Sequence, residues 1–140
     1  MFSPSKLLLL STAILFLFAG VLFGKHLKNG STSFSKEVKV YVFAPIDAAD
    51  RIREVMENVG VGKIGNYTDC TYTSPTGYGR FRPLEGSNPT IGKIGELVKV
   101  PEVIIQARVS QQDVTQLIQA IKKVHPYETP GIDVQPLLEF

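Results

Sequence analysis

Six side chains in this sequence of 140 residues have the chemistry of a site: His125, Glu128, Tyr67, Cys70, Arg80 and Arg82. His125 and Glu128 stand three apart in the stretch VHPYETPG, and an imidazole beside a carboxylate is a metal-ligand pair or an acid/base pair. On an unbroken helix that spacing would put them on one face, but Pro126 interrupts the helix between them, so spacing alone does not bring them together. The local alternative is that His125 covers the last helix carbonyls while Pro126 and Pro130 stiffen a turn. Cys70, in the alternating run YTDCTYT, is either a liganding thiol or a small buried hydrophobe. As the one cysteine, it excludes an internal disulfide and a cysteine-built zinc site. Arg80 and Arg82, with Lys63, flank two glycine-rich loops that could receive an anionic group, and solvated strand arginines are the plain alternative.

Some motifs argue against particular chemistries. Gly60 to Gly65 reads G-x-G-x-x-G, yet it follows an expected helix and precedes an expected strand, the reverse of the dinucleotide fingerprint. A glycine-rich turn is the better reading. There is no G-x-S-x-G, H-E-x-x-H or Walker sequence, and the other histidine, His26, lies in the N-terminal flank. Triad or metal-hydrolase chemistry built from this chain alone lacks its parts, so no enzyme is expected.

These residues must be held by a small set of elements. VKVYVFA, from Val38, alternates with Val38, Val40, Val42 and Ala44 on one face and predicts a strand ended by Pro45. From Asp47 to Val59 the positions Ala49, Ile52, Met56 and Val59 recur at helical spacing, with Asp47 as N-cap and Gly60 as stop. Tyr67 to Thr73, a turn at 74–77 and Tyr78 to Arg82 predict a hairpin. A loop from Glu85 to Gly95 is long enough to be functional or to reach a neighbouring subunit. Leu97 to Val100 and Val103 to Val109 flank Pro101, the second a buried strand. Ser110 and Asp113 resemble a capping box for a helix carrying Val114, Leu117, Ile118 and Ile121 inward, halted by Pro126. Ile132 to Leu138 predicts a last strand. The order gives an α+β fold, a ferredoxin-like βαββαβ sandwich with two helices on one face of a mainly antiparallel sheet.

The first 29 residues are set apart. Leu7 to Phe23 is an uncharged apolar run of 17 residues, about 26 Å as a helix, which suits a short membrane anchor or a signal segment. Few registers place small residues where signal peptidase needs them, so an uncleaved hydrophobic N-terminal helix is expected. Residues 30–37 then form a linker and 38–140 the domain. More lysines follow the apolar run than precede it, which places the domain on the cytoplasmic side. Residues 34–140 carry 12 basic against 13 acidic side chains, and no basic stripe supports a nucleic-acid partner.

Three spaced motifs resemble a known family. They are Gly60-x-Gly62-x-Ile64-Gly65-Asn66-Tyr67-x-x-Cys70, then Gly77-x-Gly79-x-Phe81-x-Pro83-x-x-Gly86-x-x-Pro89-x-x-Gly92, and His125-Pro126-Tyr127-Glu128 with Pro130. Together, from about Val38 to Leu138, they resemble the small domain inserted in bacterial members of the NGG-interacting-factor-three-like family. The resemblance implies a domain similar to the CutA and PII signalling proteins, whose subunits commonly form trimers with sites in the clefts between them. With the missing catalytic sets and the apolar leader, it points to a non-catalytic, membrane-tethered sensor or regulatory module that binds a small ligand or a divalent metal. The resemblance makes His125 and Glu128 the metal candidates with Tyr67 and Cys70 from the opposing hairpin as ligand neighbours, and Arg80 and Arg82 join the ligand candidates from the loop reading above. After Glu102 the chain reads Val-Ile-Ile-Gln106, where the family often has a glutamate, so one carboxylate of such a metal site is missing. The alternative is an oligomerisation or protein-interaction module without a ligand.

Overall fold

In the computed structural model, which describes residues 32–139, the chain runs from β1 (Ser33–Pro45) through a 3-10 turn (Ile46–Ala48) to α1 (Ala49–Asn58). It continues through β2 (Thr71–Thr73), β3 (Gly77–Phe81) and β4 (Val98–Ser110), then a second 3-10 turn (Gln111–Asp113), α2 (Val114–Val124) and β5 (Ile132–Glu139). Phe34–Leu137 is one unit, to which the following description applies; the outer tips of β1 and β5 fall in another. The apolar run Leu7 to Phe23 lies outside the described residues, and no helix among those described is long and apolar enough to cross a membrane.

β4 is the strand on which the sheet is assembled. β1 pairs antiparallel along one side of it, from Glu37↔Ser110 to Pro45↔Glu102, and β5 lies beyond β1. On the other side both β2 and β3 pair antiparallel with β4. β1 and the β2–β3 line therefore run parallel with β4 between them and α1 as the crossover, the split β-α-β arrangement of the ferredoxin-like fold.

The expected hairpin does not form. β2 and β3 are consecutive pieces of one edge strand, not partners of each other. Thr73 sits opposite Ile105 and Gly77 opposite Glu102, so three residues of the edge, Ser74 to Thr76, face two of β4. This is a one-residue bulge. Pro75, without an N–H, is tolerated at such a break, and Ser74 repairs the ladder. Its N–H donates to the Ile104 carbonyl, and its hydroxyl accepts from the Ile104 N–H, both at 2.9 Å. The two stretches around Pro101 are likewise one strand, because Pro101 falls past the last β1 pair, where its missing N–H costs that neighbour nothing.

Alternation in the two central strands fills the core. Val38, Val40, Val42 and Ala44 of β1 and Val103, Ile105, Ala107 and Val109 of β4 are buried on one face. Ile52 and Met56 of α1 and Leu117 and Ile121 of α2 cover them and are fully buried themselves. Neither expected cap is made. Asp47 lies within the first 3-10 turn, and the N-cap positions Ala48, Ser110 and Asp113 form no side-chain cap hydrogen bond. The 3-10 turns lead into both helices and engage part of the backbone that a side-chain cap would otherwise satisfy. At the far end of α1, Gly60 at φ +85° permits the paired bonds Gly60 N–H to Glu57 O and Val61 N–H to Met56 O, a Schellman stop. The G-x-G-x-x-G is thus a helix-to-strand connection.

Ser74→Ala should leave the Ile104 N–H without its acceptor. A loss of about 1–2 kcal/mol in urea-denaturation stability is expected, and a loss below about 0.3 kcal/mol would show that the bulge does not need the hydroxyl.

Candidate functional site

The turn after α2 is tied to a single peptide of β1. Because Pro126 follows it, His125 is extended (φ −69°, ψ 136°), and α2 ends with the His125 N–H on the Ile121 carbonyl. The imidazole leaves the helix and enters the core edge, 8% exposed. Nδ1 accepts the Tyr127 N–H at 3.0 Å, so the ring proton sits on Nε2 and is donated to the Phe43 carbonyl, also at 3.0 Å. On the same residue the Phe43 N–H donates to the Gly131 carbonyl at 3.0 Å. Burial lowers the His125 pKa below its ordinary value, outweighing the Phe43 carbonyl and the Glu102 carboxylate, which favour the charged ring; Arg51 acts with burial.

This clasp holds Tyr127 over the sheet face that the helices leave uncovered. Its hydroxyl donates to Glu102 Oε1 at 2.6 Å, and its ring meets Phe81 edge-on at a centroid distance of 5.5 Å. Burial first, and then the Glu102 carboxylate, push the phenol pKa upward, so the hydroxyl keeps its proton. Glu102 reaches this position because β3 offers a glycine beneath it: a Cβ on Gly79 would collide with the carboxylate. Around the pair opens a cleft of about 430 Å³. Phe43, Phe81 and Tyr127 give it aromatic walls, and Glu102 gives it a fixed carboxylate.

The remaining wall is the loop between β3 and β4, which contributes Ser87, Pro89, Thr90 and Ile91. Its base is closed by the Arg82 guanidinium on the Gly95 carbonyl and by the Gly95 N–H on the Pro83 carbonyl at 2.9 Å. Its tip is held by Glu128, whose Oε2 accepts the Asn88 N–H at 2.9 Å.

The six sequence candidates do not converge. Arg80 lines the cleft, Arg82 braces the loop, and Glu128 latches it. His125 has both nitrogens engaged by the backbone. Tyr67 and Cys70 belong to a different end of β4. The Cys70 N–H bonds the Gly62 carbonyl and the Gly62 N–H bonds the Arg108 carbonyl, whereas the cleft lies by Glu102, about 20 Å along the strand at some 3.4 Å per residue. Within one chain, then, Tyr67 and Cys70 are not neighbours of His125 and Glu128. Gly62, at φ +76°, makes the tight passage possible: a Cβ there would lie 2.7 Å from the Cys70 backbone. Cys70 itself is half-buried, its thiol 3.6 Å from the Thr68 carbonyl, and Tyr67 is 72% exposed. Among the described residues no three His, Cys, Asp or Glu side chains gather as a metal site would require. Sequence reasoning passed over Glu102 as the polar partner of Tyr127. The signal was there in Gly77-x-Gly79, a strand with glycines where side chains should be.

No family model matches the chain. Over 99 residues it is 43% identical to the GTP cyclohydrolase 1 type 2 homolog of Halalkalibacterium halodurans, an overlap of 71% of this chain and 26% of that protein. A Bacillus cereus protein related to NIF3 superposes with a TM-score of 0.63 at 34% identity, over 77% of this chain and 29% of the other. CutA1 from Shewanella sp. SIB1 superposes with a TM-score of 0.55 at 15% identity, over 77% and 87%. That last likeness speaks for the fold alone. The chain spans about a quarter of the length of the curated relatives it matches.

Because its folded pKa is depressed, His125 adds stability that is fully present above its unfolded pKa of about 6.5 and lost as pH falls toward the folded value. Thermal unfolding of the wild type between pH 7.5 and 5.5 should therefore show a steeper acid loss than that of His125→Gln, which should itself be about 1–3 kcal/mol less stable at neutral pH. Parallel pH profiles would contradict the neutral, buried assignment.

Proposed function

Because the domain described here belongs to the NGG-interacting-factor-three-like family, of whose curated relatives it spans about a quarter, we propose that it is a non-catalytic regulatory module that binds a small organic ligand in the Phe43, Phe81 and Tyr127 cleft. The observation that carries this reading is the Tyr127 to Glu102 hydrogen bond inside an aromatic-walled cleft. A concave, mostly apolar site of this volume with a few fixed polar groups has the character of a small-molecule site. An organic ligand is favoured over a divalent metal because both His125 nitrogens are already committed to backbone partners. The same commitment supports a non-catalytic role, since no free imidazole among the described residues faces the cleft.

Two further elements belong to the proposal. Copies of the chain assemble as a homo-oligomer through the sheet face opposite the helices, where Tyr41, Ile104 and Gln106 stand on β1 and β4 without a helix above them, and where β5 and the β2–β3 line are edges. Leu7 to Phe23 holds the assembly at a membrane, with the domain on the cytoplasmic side.

The test is a fragment screen by NMR on the full chain in detergent micelles, with neutral, anionic and cationic members. Backbone shifts should move at Phe43, Phe81, Thr90 and Tyr127 and stay still at Tyr67 to Cys70. If no fragment of any charge moves the cleft signals, the ligand-binding reading is wrong.

A further inference from the structure

The chemistry of the cleft narrows its ligand, an inference that rests on the reading of the cleft as a ligand site. Glu102 is held by Tyr127, which donates to Oε1, and lies over β3 at Gly79, where a Cβ would overlap the carboxylate in its present position. Oε2 has no hydrogen-bond partner among the described residues, while the carboxylate lines the cleft. A charged acceptor fixed before the ligand arrives loses little freedom on binding. Its neighbour reinforces it: the Tyr127 hydroxyl spends its proton on Glu102, and what it turns to any other group is a lone pair. The inner polar end of the cleft is thus rich in acceptors.

Charge agrees with this. The cleft is lined by two carboxylates, Glu102 and Glu128, against one guanidinium, Arg80. By the alternation of β3, Gly79 and Phe81 point toward the cleft and Arg80 starts from the opposite face. Glu128 is exposed and binds the loop tip through Asn88, whereas Glu102 is half-buried beside the rings, which makes Glu102 the stronger anionic contact. Phe43, Phe81 and Tyr127 present rings, which attract a cation to their faces and accept a flat apolar body.

We propose that the cleft selects an organic cation with a planar body, whose ammonium or amidinium group bonds the Glu102 carboxylate while its ring lies among Phe43, Phe81 and Tyr127. An amidinium matches a carboxylate with two parallel N–H donors, but here Oε1 already serves Tyr127, so one strong charge-assisted bond to Oε2 and a weaker one to Oε1 are expected. Anions are disfavoured by Glu102 itself. Neutral ligands of the same shape lose the charge-assisted bond.

Benzamidinium and benzamide differ in charge but hardly in shape and serve as the probe pair, with benzoate as the anion. Titrations followed by NMR on the full chain in micelles should show benzamidinium moving the Phe81, Glu102 and Tyr127 signals at concentrations at least tenfold lower than benzamide, and benzoate not moving them. Glu102→Gln should abolish that tenfold preference while leaving the melting temperature close to the wild type. Equal affinity for benzamidinium and benzamide, or tighter binding of benzoate, would overturn the cation assignment yet leave the cleft a ligand site. Binding of a divalent cation alone at Glu102, with benzamidinium inert, would overturn it as well. If none of the three aromatic probes moves the cleft while other fragments do, the assignment fails; if nothing binds, the cleft is not a ligand site at all. Should Glu102→Gln unfold, the benzamidinium to benzamide ratio on the wild-type protein still decides.

Discussion

One peptide unit, that of Phe43, organises the end of the molecule where chemistry is gathered. Its carbonyl accepts from the His125 ring and its N–H donates to the Gly131 carbonyl, so both ends of the HPYETPG turn are fastened to the same residue of β1. A buried backbone donor and acceptor must be paired somewhere, and here the pairing spans 82 residues of sequence. Without it Tyr127 would have no fixed place over the sheet, Glu102 would lose its partner, and the loop tip held by Glu128 would have nothing firm behind it.

The histidine therefore acts as a joint. Its two nitrogens play opposite roles, one accepting from the chain ahead and one donating to the strand beside it, and only the neutral ring can do both. The residues that meet open space in the cleft are instead the ones it positions. Much of the chemistry visible in the side-chain list of the sequence is spent on holding: His125 on the clasp, Arg82 on the loop base, Glu128 on the loop tip. The likeness to CutA1 is one of fold, and fold similarity by itself names no ligand.

What was legible in the sequence follows the strength of local pattern. The alternation in VKVYVFA and the i, i+3, i+7 spacing of Ala49, Ile52 and Met56 identify β1 and α1 and their buried faces, because burying one side of an element imposes its period on the sequence. The same logic failed for β2 and β3. A turn-like SPTG between two β-prone runs looks the same whether the chain reverses or merely skips a residue, and only the long partner β4 decides. Cap residues misled for a similar reason, since 3-10 turns already lead into both helices. Proximity in the site was harder still. Glu102 and Tyr127 are 25 residues apart and meet where strand register puts a bare glycine beneath the carboxylate, which no spacing rule records.

The bulge at Ser74 to Thr76 has an effect on the identity of the site as well as on the shape of the sheet edge. Tyr72 lies opposite Gln106 and Gly77 opposite Glu102, and Gln106 and Glu102 share a face of β4. Even-numbered residues therefore look outward before the interruption and odd-numbered ones after it. The bulge works as a parity switch: were all three of its residues paired regularly along β4, the edge strand would offer Tyr78 and Arg80 where it now offers Gly79 and Phe81. The present chamber, floored by a glycine and walled by Phe81, would then have a phenol beneath Glu102 and a guanidinium in place of one ring. One skipped position thus decides which side chains the sheet edge turns toward the carboxylate.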